Sequence, residues 1–150
     1  SGALLGLDAV QAAAFGKISS VRMVTRKPTK GLEGAPYVDD RRINLAELRE
    51  PKILYSGSAK DAIRGFPANL NVAIALSLAG IGPELTELEV WADPSIDRNT
   101  HSIEVVADSA NFRMQIENVP SEDNPKTGKI TPLSVLSTLR RIAAPLVIGA

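Results

Sequence analysis

The chain has 150 residues, 44% of them apolar and 23% charged, with 17 basic residues against 17 acidic and a formal net charge of zero. That balance excludes a disordered chain and argues against a dedicated nucleic-acid binder, which carries an excess of Lys and Arg. With no cysteine and one histidine, the chain has no disulfide, no thiolate nucleophile and no Cys-ligated zinc, and it lacks the histidines of the usual transition-metal sites.

The length suits one domain, residues 1–150. The start, Ser1-Gly2-Ala3-Leu4-Leu5, is acidic by Asp8 and has no basic region, unlike a signal peptide. Leu7 to Phe15 reads as a helix, with Asp8 in its first turn and Gly16 as its stop. Val21, Met23 and Thr25 alternate with Arg22, Val24 and Arg26, the period of a strand. Pro28, Gly31, Gly34 and Pro36 predict a surface loop over Thr29 to Asp40. Leu45 to Leu48 reads as a short helical turn and Ile53 to Tyr55 as a short strand.

Ser58 is placed to cap a second helix in which Ile63 and Phe66 share a face, and Pro67 ends it. A third helix is expected over Asn69 to Ala79, stopped by Gly80 and Gly82. It lies within an uncharged run, Phe66 to Pro83, that is too polar and too short to span a bilayer comfortably. Leu70, Val72, Ala73, Ile74, Leu76 and Leu78 cover nearly every side of it, as in a helix packed from several directions. Three alternating runs follow, at Leu88–Val90, Ile103–Val105–Ala107 and Phe112–Met114–Ile116, and a short polar turn at Ser109-Ala110 makes the last two a hairpin. Leu133, Leu136, Leu139 and Ile142 form a final amphipathic helix with Arg140 and Arg141 near its end, and the apolar tail Pro145 to Ala150 needs a surface to lie on. The order favours an α+β fold, a mixed or mostly antiparallel sheet covered by helices.

Phosphate-binding glycine motifs are missing: neither G-x-G-x-x-G nor G-x-x-x-x-G-K-[ST] occurs. His101 draws attention because imidazole titrates near neutrality. On a strand it shares a face with Ile103 and Val105, and Asn99 lies two residues earlier. A locally bonded core-edge histidine is the plainer reading. Asn69 and Asn71 open an otherwise apolar helix, where they act either as caps or as free amides beside a ligand. Thr25-Arg26-Lys27, at a strand end, is either a solvated basic turn or a grip for a carboxylate.

Taken in order, these segments resemble a known family. Ser1-Gly2-Ala3, Gly6-Leu7-Asp8-Ala9, Thr25-Arg26-Lys27-Pro28, Gly57-Ser58-Ala59 and Phe66-Pro67-Ala68-Asn69-Leu70-Asn71-Val72-Ala73 are similar to the catalytic domain of L-aspartate dehydrogenases. So are Ala92-Asp93-Pro94, Asn99-Thr100-His101-Ser102-Ile103-Glu104, Ile116-Glu117-Asn118, Asn124-Pro125-Lys126-Thr127 and Leu133-Ser134-Val135-Leu136. The resemblance covers nearly the whole chain and implies the C-terminal domain of a two-domain NAD-dependent dehydrogenase, without the N-terminal Rossmann domain.

The activity it implies is NAD(P)-dependent oxidation of L-aspartate to iminoaspartate, which yields oxaloacetate and ammonia or feeds NAD biosynthesis. His101 matches the catalytic histidine, Ala3 and Asn71 match positions contacting the NAD or NADP cofactor, and Asn99 matches a polar position beside the substrate. Arg26, Lys27 and Ser58 are candidates for holding the carboxylates of L-aspartate or a similar dicarboxylic amino acid. The resemblance further implies a homodimer and a cofactor domain carried separately. A cytoplasmic location is the default expectation, with no nucleic acid, membrane or metal involved. The alternative is a non-catalytic amino-acid-binding or dimerisation module derived from this domain.

Overall fold

A computed structural model describes residues 2–68, 70–124 and 127–147. The first helix, α1 (Leu7–Ala13), buries Val10 and Ala13. It begins at Gly6, whose φ of 70° is left-handed. A Cβ there would overlap the Met114 sulfur, so both backbone and space call for glycine. Strand β1 (Ile18–Lys27) follows. The long connection then carries a 3₁₀ turn at Thr29–Leu32, helix α2 (Pro36–Asp40) and a second 3₁₀ turn at Leu45–Glu47. Strand β2 (Lys52–Ser58) leads into α3 (Ala59–Gly65) and α4 (Asn71–Ala79). Strands β3 (Thr86–Ala92), β4 (Asn99–Ala107) and β5 (Asn111–Asn118) precede the last helix, α5 (Ile130–Ile142).

The five strands form one sheet in the order β2-β3-β1-β4-β5. β1 and β3 are parallel, and the other neighbours are antiparallel. The fold is therefore α+β with a mixed sheet, as the element order implies. Alternation selects the helix-covered face. Val21, Met23, Thr25 and Lys27 of β1 are buried, as are Leu88 and Val90 of β3 and Ile103 and Val105 of β4. Val10, Phe66, Ala73 and Leu76 cover that face. Gly80, closing α4, permits a close approach: a Cβ there would stand 3.2 Å from Val10 Cγ1 and 3.4 Å from Val21 Cγ2.

Three local expectations are corrected. Thr29 to Asp40 is no plain loop, because Leu32, Ala35 and Val38 recur every three residues and are buried, and Pro36 occupies the first turn of α2, where its missing N–H costs nothing. Ile63 and Phe66 do not share a face: Ile63 is exposed, whereas Phe66 caps the end of α3, outside helical geometry, is buried and stacks on Tyr37 at 4.9 Å. Finally, α4 is packed on one side only, through Ala73, Leu76, Ser77 and Ala79, and Leu78 is exposed. Asn69, expected as a cap, lies outside the described residues.

Candidate active site

The helix-covered sheet face is apolar over most of its length and polar at one end. In the register of β1, β4 and β5, Met23 faces Ile103, which faces Met114. One row along, Thr25 faces His101, which faces Ile116. Beyond that row lie Lys27 at the end of β1, Asn99 at the start of β4 and Asn118, paired with Asn99, at the end of β5. A strand period of two puts all of these on one face. Above them opens a cleft of about 1020 Å³, whose lining includes Ala3, Lys27, Asn71, Asn99, His101 and Asn118.

His101 is 3% exposed, set into the wall of this cleft, with Nδ1 2.9 Å from Thr25 Oγ1. Burial, together with the nearby charge of Lys27, pushes its pKa down from 6.5 to about 4. The imidazole is therefore neutral at physiological pH. Lys27 is 6% exposed, and burial lowers its pKa to about 8. No carboxylate among the described residues forms an ion pair with it. A buried ammonium without a counter-ion is costly and favours an anionic ligand. Asn118 donates from Nδ2 to the Ala3 carbonyl at 3.2 Å, which ties the first residues to the sheet end, while its Oδ1 has no partner.

The other sequence candidates separate. Asn71, in the first turn of α4, and Ala3 both line the cleft. Arg26 does not: alternation turns it to the opposite sheet face, where it pairs with Asp93 at 3.5 Å and stacks over Trp91 at 4.5 Å. Burial opposes ionisation of Asp93, yet the Ser95 hydroxyl and N–H and the charge of Arg26 outweigh it and hold the carboxyl below its usual range. Ser58 is also elsewhere. It pairs with Glu87 near the start of β3, whereas Lys27 pairs with Ala92 at its end. Its Oγ caps α3 by accepting the Asp61 N–H at 3.1 Å. Two residues to which the sequence gives no role of their own, Thr25 and Asn118, stand in this group. Only the cross-strand register reveals them, since Thr25 and His101 are 76 positions apart.

The family model described as aspartate dehydrogenase, C-terminal, matches residues 8–142. L-aspartate dehydrogenase 3 of Bordetella bronchiseptica is 64% identical over 149 residues, 99% of this chain and 54% of that protein. The L-aspartate dehydrogenase of Methanosarcina mazei is 48% identical over the same length, 55% of that protein. Among solved structures, aspartate dehydrogenase from Thermotoga maritima matches with a TM-score of 0.77 at 28% identity, covering 99% of this chain and 54% of that one. The chain thus spans about half the length of the relatives it matches.

Proposed function

The chain belongs to the aspartate dehydrogenase C-terminal family, and from that premise we propose that it is the half of an L-aspartate dehydrogenase that grips the amino acid and handles its proton. The observation that carries this reading is the pairing, in one cleft, of a neutral histidine with a buried ammonium that no carboxylate among the described residues neutralises. Lys27 holds a carboxylate of L-aspartate or a similar dicarboxylic amino acid, and Asn99 supplies a polar contact beside it. His101 accepts a proton, either from the substrate ammonium or from the water that attacks the imine. Loss of the amine proton leaves the nitrogen lone pair free to form C=N as hydride leaves Cα, giving iminoaspartate. Hydrolysis of that imine then yields oxaloacetate and ammonia, and the imine itself is the form that would enter NAD biosynthesis.

A nicotinamide cofactor, NAD or NADP, supplies the hydride acceptor when bound. The cleft suits its ring end: Ala3, Val72 and Ala75 offer apolar wall and Asn71 an amide. Nothing in the sequence offers the glycine-rich cradle for its phosphates, so a Rossmann half is needed to complete the site. Arg26 and Ser58, candidates from sequence along with Lys27 for holding the carboxylates, are occupied away from the cleft. The sheet face opposite the helices carries the Arg22–Glu89 and Arg113–Glu104 pairs beside Trp91, and it is the surface on which a homodimer would form. No helix among the described residues is long and apolar enough to cross a membrane.

The test joins this chain to the N-terminal half of the Bordetella bronchiseptica relative and replaces His101 with Ala. Turnover should fall by about 10²- to 10⁴-fold, the usual contribution of a general base; undiminished turnover removes the role. Calorimetry of the chain alone addresses the alternative, since tight aspartate binding with no cofactor half present favours a binding module. Sedimentation tests the dimer, and a strictly monomeric chain refutes it.

A further inference from the structure

We infer that Ser134 is a positioning residue: its hydroxyl holds the Gly2–Ala3 backbone at the end of the cleft and so sets the wall that the nicotinamide ring meets. The inference rests on the reading of that cleft as the site of the cofactor's ring end. Its basis is a set of three hydrogen bonds. The Gly2 N–H donates to Ser134 Oγ at 3.2 Å, the Ser134 hydroxyl donates to the Thr131 carbonyl at 2.8 Å, and Asn118 Nδ2 donates to the Ala3 carbonyl at 3.2 Å. The serine therefore spends its one proton on its own helix and a lone pair on Gly2, and neither is left over.

Gly2 and Ala3 both line the cleft, yet neither has a side chain able to anchor it. Gly2 lies at φ 64° with nothing within 4 Å of where a Cβ would stand, so glycine serves the backbone there and not the packing. The first firm apolar anchor is Leu4, 3% exposed in the core. Before it the chain is gripped by its backbone, with Ser134 at the Gly2 N–H and Asn118 at the Ala3 carbonyl. The two grips differ in kind. Asn118 lines the cleft and pairs with Asn99, so it also meets whatever the cleft holds. Ser134 does not line the cleft. It stands in the second turn of α5, where only Thr131, Ser134 and Arg141 are less than fully exposed. Thr131 and Ser134 are three positions apart and share a face, so α5 meets the entry segment through a polar edge and not through its leucines. Ser134 reaches the cofactor wall only by way of Gly2.

The test uses the two-part enzyme and titrates the reduced cofactor by its fluorescence with no amino acid present, taking NADH or NADPH according to which the native enzyme binds. Ser134→Ala removes the acceptor, and because alanine is the better helix former α5 is kept. Cofactor affinity should fall about threefold to tenfold, the worth of one neutral hydrogen bond. In steady-state kinetics KM for the oxidised cofactor should rise by the same factor, with KM for aspartate unchanged. Ser134→Thr keeps the hydroxyl and should restore both. Native cofactor affinity in Ser134→Ala overturns the inference and leaves the reading of the cleft standing. A loss that Ser134→Thr fails to restore, or one that aspartate shares equally, points to packing and overturns it too. A native two-part enzyme that binds neither NADH nor NADPH defeats the reading of the cleft itself, and the inference falls with it.

Discussion

Replacing Lys27 with Met separates two consequences of burying an ammonium without a counter-ion. The folded chain should gain about 1 kcal/mol at pH 7, since a charge is no longer held out of water. Binding of aspartate in the two-part enzyme should weaken about tenfold to a hundredfold, the value of a charge-assisted hydrogen bond. Denaturant titration and calorimetry read the two effects, and a variant that lost stability would contradict the account. The pH dependence carries its own sign. Between the folded pKa of about 8 and the unfolded 10.5, the unfolded chain binds the extra proton, so stability rises with pH across that window. In Lys27→Met that rise disappears. Aspartate affinity moves the other way and falls by about tenfold per pH unit above 8, as the ammonium is lost. His101 adds a second window. Its pKa is about 4 folded against 6.5 unfolded, so its contribution is intact above 6.5 and is lost as pH falls to 4. His101→Gln should flatten the stability profile over that interval.

Among the elements, the caps and the alternating strands were the legible part. Ser58 reads as an N-cap from sequence and is one, accepting the Asp61 N–H and donating to the Asp61 carboxylate at 2.8 Å. Ser58→Ala should therefore cost about 1 kcal/mol in a melting experiment. Because α3 starts at the sheet end away from Lys27, aspartate affinity should not change; a weakened affinity would return Ser58 to the site. Alternation likewise marks β1, β3, β4 and β5, and the polar turn at Ser109-Ala110 marks β4 and β5 as a hairpin. Long-range order was not legible. No local pattern says that β3 returns to lie parallel to β1, yet that topology brings Lys27 beside Ala92 and the Asp93 turn. Proline and glycine mark Thr29–Asp40 as a loop by sequence, yet Pro36 begins a helix there and Leu32 and Val38 anchor the stretch. Arg26 and Lys27 are adjacent in sequence and equally basic. The pleat alone decides that one meets solvent and Trp91 while the other meets the cleft.

At the scale of the whole molecule, α5 is the element whose burial is unaccounted for. It runs for 13 residues and buries none of them. Leu133, Leu136, Leu139 and Ile142 form an exposed stripe, and Leu146 and Val147 extend it. A stripe of that kind on an amphipathic helix marks a contact surface. Its position is fixed at one end, where the Gly2 N–H donates to Ser134 Oγ at 3.2 Å, so α5 sits against the first residues of the chain. The relatives carry nearly as much chain again, and their C-terminal family model covers the part seen here. If the cofactor-binding half proposed above packs on α5, then Leu136→Glu with Leu139→Glu has a divided effect. The two side chains are 53% and 58% exposed, so the isolated chain should melt within about 0.5 kcal/mol of the native one. Joined to the N-terminal half, the same pair should loosen the contact between the halves, seen as faster proteolysis of the junction and lower turnover. The bound amino acid would still reach Lys27. Unchanged turnover and protease resistance would show that the stripe faces something other than the cofactor-binding half.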